Sequence, residues 1–176
     1  MATPSIERSL TVEEYLRSSY RPDVDFVDGF LEDRNTGGFD HGRIQTALAA
    51  WFFGREREWN IRAVVEQRVQ VSSGRFRIPD VCLMLRGSPI DQVVSKAPLV
   101  CIEILSADDS VYKMSDRVAD YFRMGVEHIW MINPAAREAF ICTPTGWNQP
   151  ADGILTVPHT DINVPLAQIF ASLDDA

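Results

Sequence analysis

The sequence predicts an α/β domain with α+β character, a mixed sheet flanked by helices. Two observations carry that prediction. Short apolar runs with strand-like alternation (61–71, 76–85, 99–105, 128–133 and 138–143) are interspersed with segments whose apolar residues return every three or four positions (41–59, 111–122 and 164–173). The breaks between them carry turn chemistry, such as Asp28-Gly29, Ser72-Ser73-Gly74 and Asn133-Pro134. No internal repeat, linker or low-complexity stretch interrupts the order, so residues 1–176 read as one domain.

Taken from the start, Thr11-Val12-Glu13-Glu14 has capping-box form and opens a short helix, with Tyr15 and Leu16 on its apolar face. Residues 25–31 read as a hairpin, with Asp28-Gly29 as the primed turn. Asn35-Thr36-Gly37-Gly38 is a loop leading to Asp40, the expected N-cap of a helix over 41–59, whose Ile44, Ala47, Leu48, Trp51 and Phe52 form one face. His41 falls in its first turn, where a surface or capping histidine is the ordinary explanation.

Residues 61–71 alternate and turn at Ser72-Ser73-Gly74 into a strand over 76–85, an antiparallel pair. Residues 86–98 form a polar loop, 99–105 a buried strand, and Ser106 to Ser110 a helix start. The helix buries Val111, Met114, Val118, Tyr121 and Phe122 and stops at Gly125. A strand over 128–133 pairs with one over 138–143, residues 147–158 are irregular, and Val164-Pro165 opens a terminal helix.

Composition excludes several classes. Hydrophobic content of 45% with 24% charged residues excludes a disordered chain, and no apolar run is long enough to cross a bilayer. The first residues lack the apolar core of a signal peptide, so a soluble, cytoplasmic protein without membrane contact is expected. Cys82, Cys101 and Cys142 lie far apart in apolar runs and read as reduced core thiols; neither they nor the three histidines have zinc-ligand spacing. A net charge of −8 argues against a polybasic coat. Arg55, Arg57, Arg62, Arg68, Arg75 and Arg77 crowd one stretch, either as a local basic groove or as an ordinary solvated face.

Two acids stand out. Asp80 falls on the face that Phe76, Ile78, Cys82 and Met84 would share, and Glu103 is the lone polar residue of 99–105. A carboxylate in such a strand is costly unless it is paired, protonated or bound to a cation, and a shared divalent metal would relieve two at once. Lys113 and Arg117, four apart on the following helix, would bring a cation to a phosphate there. The plain alternatives are a structural acid bonded to Arg68 or Arg77, and helix cations paired to Asp116 and Asp120. Glu66 or Gln67 would point the same way as Asp80, although strand register is not fixed by sequence.

Pro79-Asp80-Val81, then Ile102-Glu103-Ile104-Leu105-Ser106, then a helix with Tyr121, Gly125-Val126 and Trp130-Met131-Ile132-Asn133-Pro134, resembles the Uma two (Uma2) family of bacterial restriction endonucleases, within the PD-(D/E)XK nuclease superfamily. Residues 25–29 resemble that family's early acidic hairpin, and His41 its histidine at the start of the next helix. The likeness covers nearly the whole chain from about Pro22. It implies a restriction-endonuclease-like core and a DNA endonuclease with Asp80 and Glu103 binding Mg²⁺ (or Mn²⁺). Lys113 or Arg117 would contact the scissile phosphate, with His41 and Gln67 lining the site. The family's helix lysine falls on Arg117 in this sequence, and arginine cannot readily deprotonate a water; either Lys113, one turn earlier, substitutes for it, or the protein is slow or inactive. Asp25 falls where the family carries glutamate and would be an outer ligand to metal or water.

Three readings follow. The first is a Mg²⁺-dependent endonuclease, with a homodimer expected if both strands of a duplex are cut. The second is a catalytically silent module that keeps the fold and binds nucleic acid or protein. The third is a metal-free hydrolase using Asp80 and Glu103 as an acid/base pair.

Overall fold

The computed structural model describes residues 9–34, 37–106, 109 and 111–174. Helix α1 (Val12–Arg17) begins with the expected capping box between Thr11 and Glu14. Strands β1 (Asp25–Val27) and β2 (Phe30–Glu32) form the expected hairpin, and Asp28 and Gly29 both take positive φ (49° and 98°) in its turn.

Helix α2 (Phe39–Phe53) starts earlier than its sequence suggests, with Gly38 rather than Asp40 at the N-cap; Asp40 lies in the first turn. It also stops six residues short of Trp59, at Gly54. The tight turns that follow carry Trp59 back to Phe52, while the Arg55 guanidinium lies 3.5 Å over the Trp51 ring. The apolar face of α2 is as expected: Ile44, Leu48 and Phe52 are fully buried.

The pair expected over 61–71 and 76–85 forms, but it is broken across two sheets. Strand β3 (Ile61–Val65) pairs antiparallel with β6 (Val81–Leu85), whereas β4 (Val69–Ser72) pairs with β5 (Arg75–Arg77). On one side the break falls at Glu66, whose φ is 48°. On the other it falls at Ile78 to Asp80, where Pro79 has no N–H and the Ile78 N–H is taken by Asp25. The single face expected to join Phe76, Ile78, Asp80, Cys82 and Met84 therefore does not exist. Phe76 packs with Tyr15, Val24 and Phe26, while Cys82 lies in a different cluster.

Strands β7 (Val100–Ile104) and β8 (His128–Asn133) are parallel, joined by α3 (Val111–Met124) in a βαβ crossover. Helix α3 ends as expected: Gly125 has φ of 100°, with Gly125 N bonded to Phe122 O and Val126 N to Tyr121 O. Strand β9 (Glu138–Thr143) pairs with β8 and with β10 (Gly146–Asn148), completing a six-stranded mixed sheet in the order β10-β9-β8-β7-β6-β3. A second sheet runs β2-β1-β5-β4. A small pair, β11 (Ile154–Thr156) with β12 (Asn163–Pro165), precedes α4 (Leu166–Ala171); within the 147–158 stretch expected to be irregular, only 147–148 and 154–156 are strand.

One face of the six-stranded sheet (Val81, Leu83, Val100, Ile102, Ile104 and Trp130) packs on α2, α4 and the small pair. The other face, with Cys82, Cys101, Ile129 and Met131, packs on α3 and β4. All three cysteines are buried free thiols. Among the described residues no helix is long and apolar enough to cross a membrane.

Candidate functional site

The site is built at the face of the sheet that meets α3. In β7, Ile102 and Ile104 enter the α2 side, so alternation puts Glu103 on the α3 side with Cys101. Strand register then fixes its neighbour: Cys82 faces Cys101 and Val81 faces Ile102, so the next step brings Asp80 opposite Glu103. The Ile104 N–H donates to Asp80 Oδ2 at 2.7 Å, holding that carboxyl group to the partner strand. Both acids are buried, and they meet on one face.

Each is served by donors from a different element. The Arg34 guanidinium, just after β2, donates through Nη2 to Asp80 Oδ1 at 2.8 Å. His41, in the first turn of α2, brings Nε2 to 3.4 Å from Asp80 Oδ2. From α3, the Tyr121 hydroxyl donates to Glu103 Oε1 at 2.5 Å and Arg117 Nη1 to Glu103 Oε2 at 3.2 Å. Burial pushes Glu103 up to about 7; Arg117 opposes that rise and the nearby Asp80 charge adds to it. For His41, burial disfavours the imidazolium, but the hydrogen bond and charge of Asp80 prevail and raise it above its ordinary value.

Behind these acids lies a buried layer of charge between α3 and the β2-β1-β5-β4 sheet. Alternation along β5 turns Phe76 toward α1 and both Arg75 and Arg77 toward α3. Arg77, 1% exposed, donates to Asp25, Glu32, Asp116 and Asp120. Asp25 is fully buried and accepts from Ile78 N, Arg77 and Arg117. It thereby holds Arg117 in line with Glu103.

The sequence-based candidates thus fall into two groups. Asp80, Glu103, His41, Arg117 and Asp25 converge. Gln67 does not join them: its amide donates to the carbonyls of Arg68 and Gln92, tying β4 to the 86–98 loop. Lys113 is exposed on α3, one turn before Arg117. Arg117 is no solvated partner of Asp116 or Asp120, which bind Arg75 and Arg77 instead. Nor does the arginine-rich stretch form a groove. Arg62 caps the Ser88 carbonyl, Arg68 chelates Asp23 and lies over Tyr15, and Arg75 joins the buried layer. The acid Asp80 is paired by Arg34, not by Arg68 or Arg77.

Sequence reasoning missed Arg34 entirely, because it lies 46 positions from its partner in a segment with no periodic pattern. It also missed the role of Tyr121, for which a signal existed: Tyr121 lies one turn beyond Arg117 on the same helix face. Gln45 is a third addition, donating to the Asp80 carbonyl and to Glu66. Glycine at position 37 has a local reason, since a Cβ there would come within 2.2 Å of the His41 ring. A cleft of about 530 Å³ opens beside His41, bordered by Gly38, Phe39, Leu105, Ser106 and Asp109.

The donor set suits a hard divalent cation. Among the described residues no cluster of three or more His, Cys, Asp or Glu side chains forms a metal cage. Mg²⁺, however, commonly takes one or two carboxylates and fills its remaining positions with water and phosphate. Asp80 and Glu103 offer two facing carboxylates whose mutual repulsion a cation would relieve.

Comparisons with known proteins bear on the family and the fold. A family model described as "Uma2: Putative restriction endonuclease" matches residues 12–162. Among solved structures, a crystal structure titled as a putative nuclease belonging to DUF820, from Anabaena variabilis, superposes with a TM-score of 0.80 at 20% identity, covering 93% of this chain and 99% of that one. That likeness establishes a shared fold. No curated protein matches the chain.

Proposed function

The chain belongs to the Uma2 family of restriction-endonuclease-like proteins, and from that premise we propose that it is a divalent-metal-dependent DNA endonuclease hydrolysing phosphodiester bonds. The observation that carries the reading is the meeting of Asp80 and Glu103 in register on one sheet face, with cationic groups beside both. It is the carboxylate pair expected of a PD-(D/E)XK core. In this reading Asp80 and Glu103 hold Mg²⁺ or Mn²⁺. When bound, that ion supplies charge neutralisation at the phosphate and a water nucleophilic near neutral pH.

The protein's own groups have distinct tasks. Tyr121 and Arg117 fix the two oxygens of Glu103, and Asp25 fixes Arg117, so the carboxylate is aimed before any ligand arrives. Arg117 is therefore a positioning residue; with Nε on Asp25 and Nη1 on Glu103, it is committed to two buried acids rather than to the scissile phosphate. That contact falls to Lys113, exposed on the same helix. His41 steadies Asp80 at the mouth of the cleft, where the DNA strand would enter. Cutting both strands would call for two such sites, hence a homodimer across the duplex.

A plasmid-nicking assay with Mg²⁺ or Mn²⁺ tests the proposal. Wild type should nick, and Asp80→Ala and Glu103→Ala should each lose at least about a hundredfold in rate. Equal nicking by all three would dismiss this site. A second reading has its own support, the engagement of Asp80 and Glu103 by arginines with arginine at position 117: a silent nucleic-acid-binding module. Metal-independent binding of duplex without any cleavage would favour it, and nicking that survives exhaustive chelation would favour metal-free acid/base hydrolysis.

A further inference from the structure

The three arginines around the acids are not held alike. Arg117 is gripped by two carboxylates, Asp25 and Glu103, and Arg77 by four. Arg34 has one carboxylate partner among the described residues, Asp80. Its side chain is only 11% exposed, yet its Nε is buried without a hydrogen-bond partner. A guanidinium presents five donors in a rigid fork, so an enclosed arginine left partly unsatisfied is held less firmly than its neighbours. Its backbone also lies outside any strand ladder or helix, in the segment between β2 and α2.

Charge balance makes this position informative. Arg34 feels the charges of Glu103 and Asp25 as well as Asp80, and is repelled by Arg117. A divalent ion between Asp80 and Glu103 would add two positive charges where Arg34 and Arg117 already neutralise those acids. In a buried pocket such an excess is expelled or met by an anion. Arg117 cannot leave without abandoning two acids, whereas Arg34 has only Asp80 Oδ1 to release.

We propose that Arg34 is the exchangeable counter-cation of the metal site: it neutralises Asp80 until a divalent ion binds, then yields that oxygen and turns its fork to a phosphate of the bound nucleic acid. Such a fork matches two phosphate oxygens as well as it matches a carboxylate. The exchange couples the two ligands, since the metal frees the arginine that the phosphate then takes up, and each should bind more tightly in the presence of the other. This inference rests on the metal-nuclease reading.

Calorimetric titration of the metal-stripped full chain with Mn²⁺, in the absence of DNA, separates the two. Arg34→Gln and Arg34→Met should each bind Mn²⁺ about tenfold more tightly than wild type, and Arg34→Lys should stay close to wild type. Asp80→Ala and Glu103→Ala should lose the site. Circular dichroism melts verify that each variant is folded; Arg34→Met, which keeps the apolar stem, serves if the glutamine variant does not fold. In Ca²⁺, duplex affinity of Arg34→Gln should fall, with a salt-dependence slope shallower by about 1. Unchanged or weaker Mn²⁺ binding by both charge-removing variants, alongside loss in the two acid variants, overturns the Arg34 inference and leaves the nuclease reading standing. Wild-type Mn²⁺ binding in both acid variants overturns both.

Discussion

Glu103 shows how a single group can tie stability to ligation. Its carboxyl is raised from an ordinary value of 4.5 to about 7, first by burial and then by the Asp80 charge. Between those two values the unfolded chain gives up a proton that the folded chain keeps. The metal-free protein should therefore hold this contribution in full below about pH 4.5 and lose it progressively as pH rises through about 7. The swing is on the order of 1–3 kcal/mol, to be read from urea denaturation in chelator. A Glu103→Gln variant that kept the same pH slope would assign it elsewhere. A neighbouring residue makes a second case. Gly37 permits the His41 ring to lie where any Cβ would collide with it, so Gly37→Ala should push the imidazole off Asp80. The hydrogen bond that raises His41 would go with it, and its NMR titration midpoint should move down toward the ordinary histidine value. An unchanged midpoint would mean that the ring keeps its place.

At the scale of elements, the decisive feature is the broken pair β3–β6 and β4–β5. The break lets one long hairpin serve two sheets, so Asp80, at the joint, is aimed toward Glu103 while Arg77, before the joint, is aimed toward Asp25 and α3. Glu66 takes a left-handed backbone at this corner, which costs an L-residue roughly 1 kcal/mol. Glu66→Gly should thus be neutral or stabilising by up to about 1 kcal/mol, whereas Glu66→Ile should destabilise by about 1–2 kcal/mol. Equal denaturation midpoints for the two variants would rule out backbone strain as the reason. The alternating pattern over 61–71 was legible in the sequence; the corner was not, because a glutamate gives no local sign of positive φ.

For the whole molecule, a net charge of −8 and the dispersal of the arginines into carboxylate and carbonyl partners leave little to attract a polyanion unaided. Affinity for DNA should then depend on the metal. Fluorescence anisotropy with a short duplex should show binding at least about tenfold tighter in Ca²⁺ than in chelator, steeply weakened by salt. Metal-independent affinity would instead point to an unmetallated binding surface and favour the silent-module reading.

What the sequence by itself determined is the set of elements and their faces. The capping box at Thr11, the Asp28-Gly29 turn, the buried stripe of α2, the Gly125 stop and the two acids set in apolar runs are all local patterns with local causes. Asp25 and His41 were marked by family likeness alone, since local chemistry made His41 an ordinary capping histidine; Arg117 was marked by its place on the helix as well. Only the tertiary structure decided which groups meet. Strand register put Asp80 across from Glu103, a one-residue matter on which alternation alone is silent. Chain crossing brought Arg34 to Asp80 from 46 positions away, sent Gln67 to a loop carbonyl, and locked Arg117 between two acids. The reason is physical: burying a charge is so costly that partners are chosen by proximity in the folded core, and proximity there is not written in spacing along the chain.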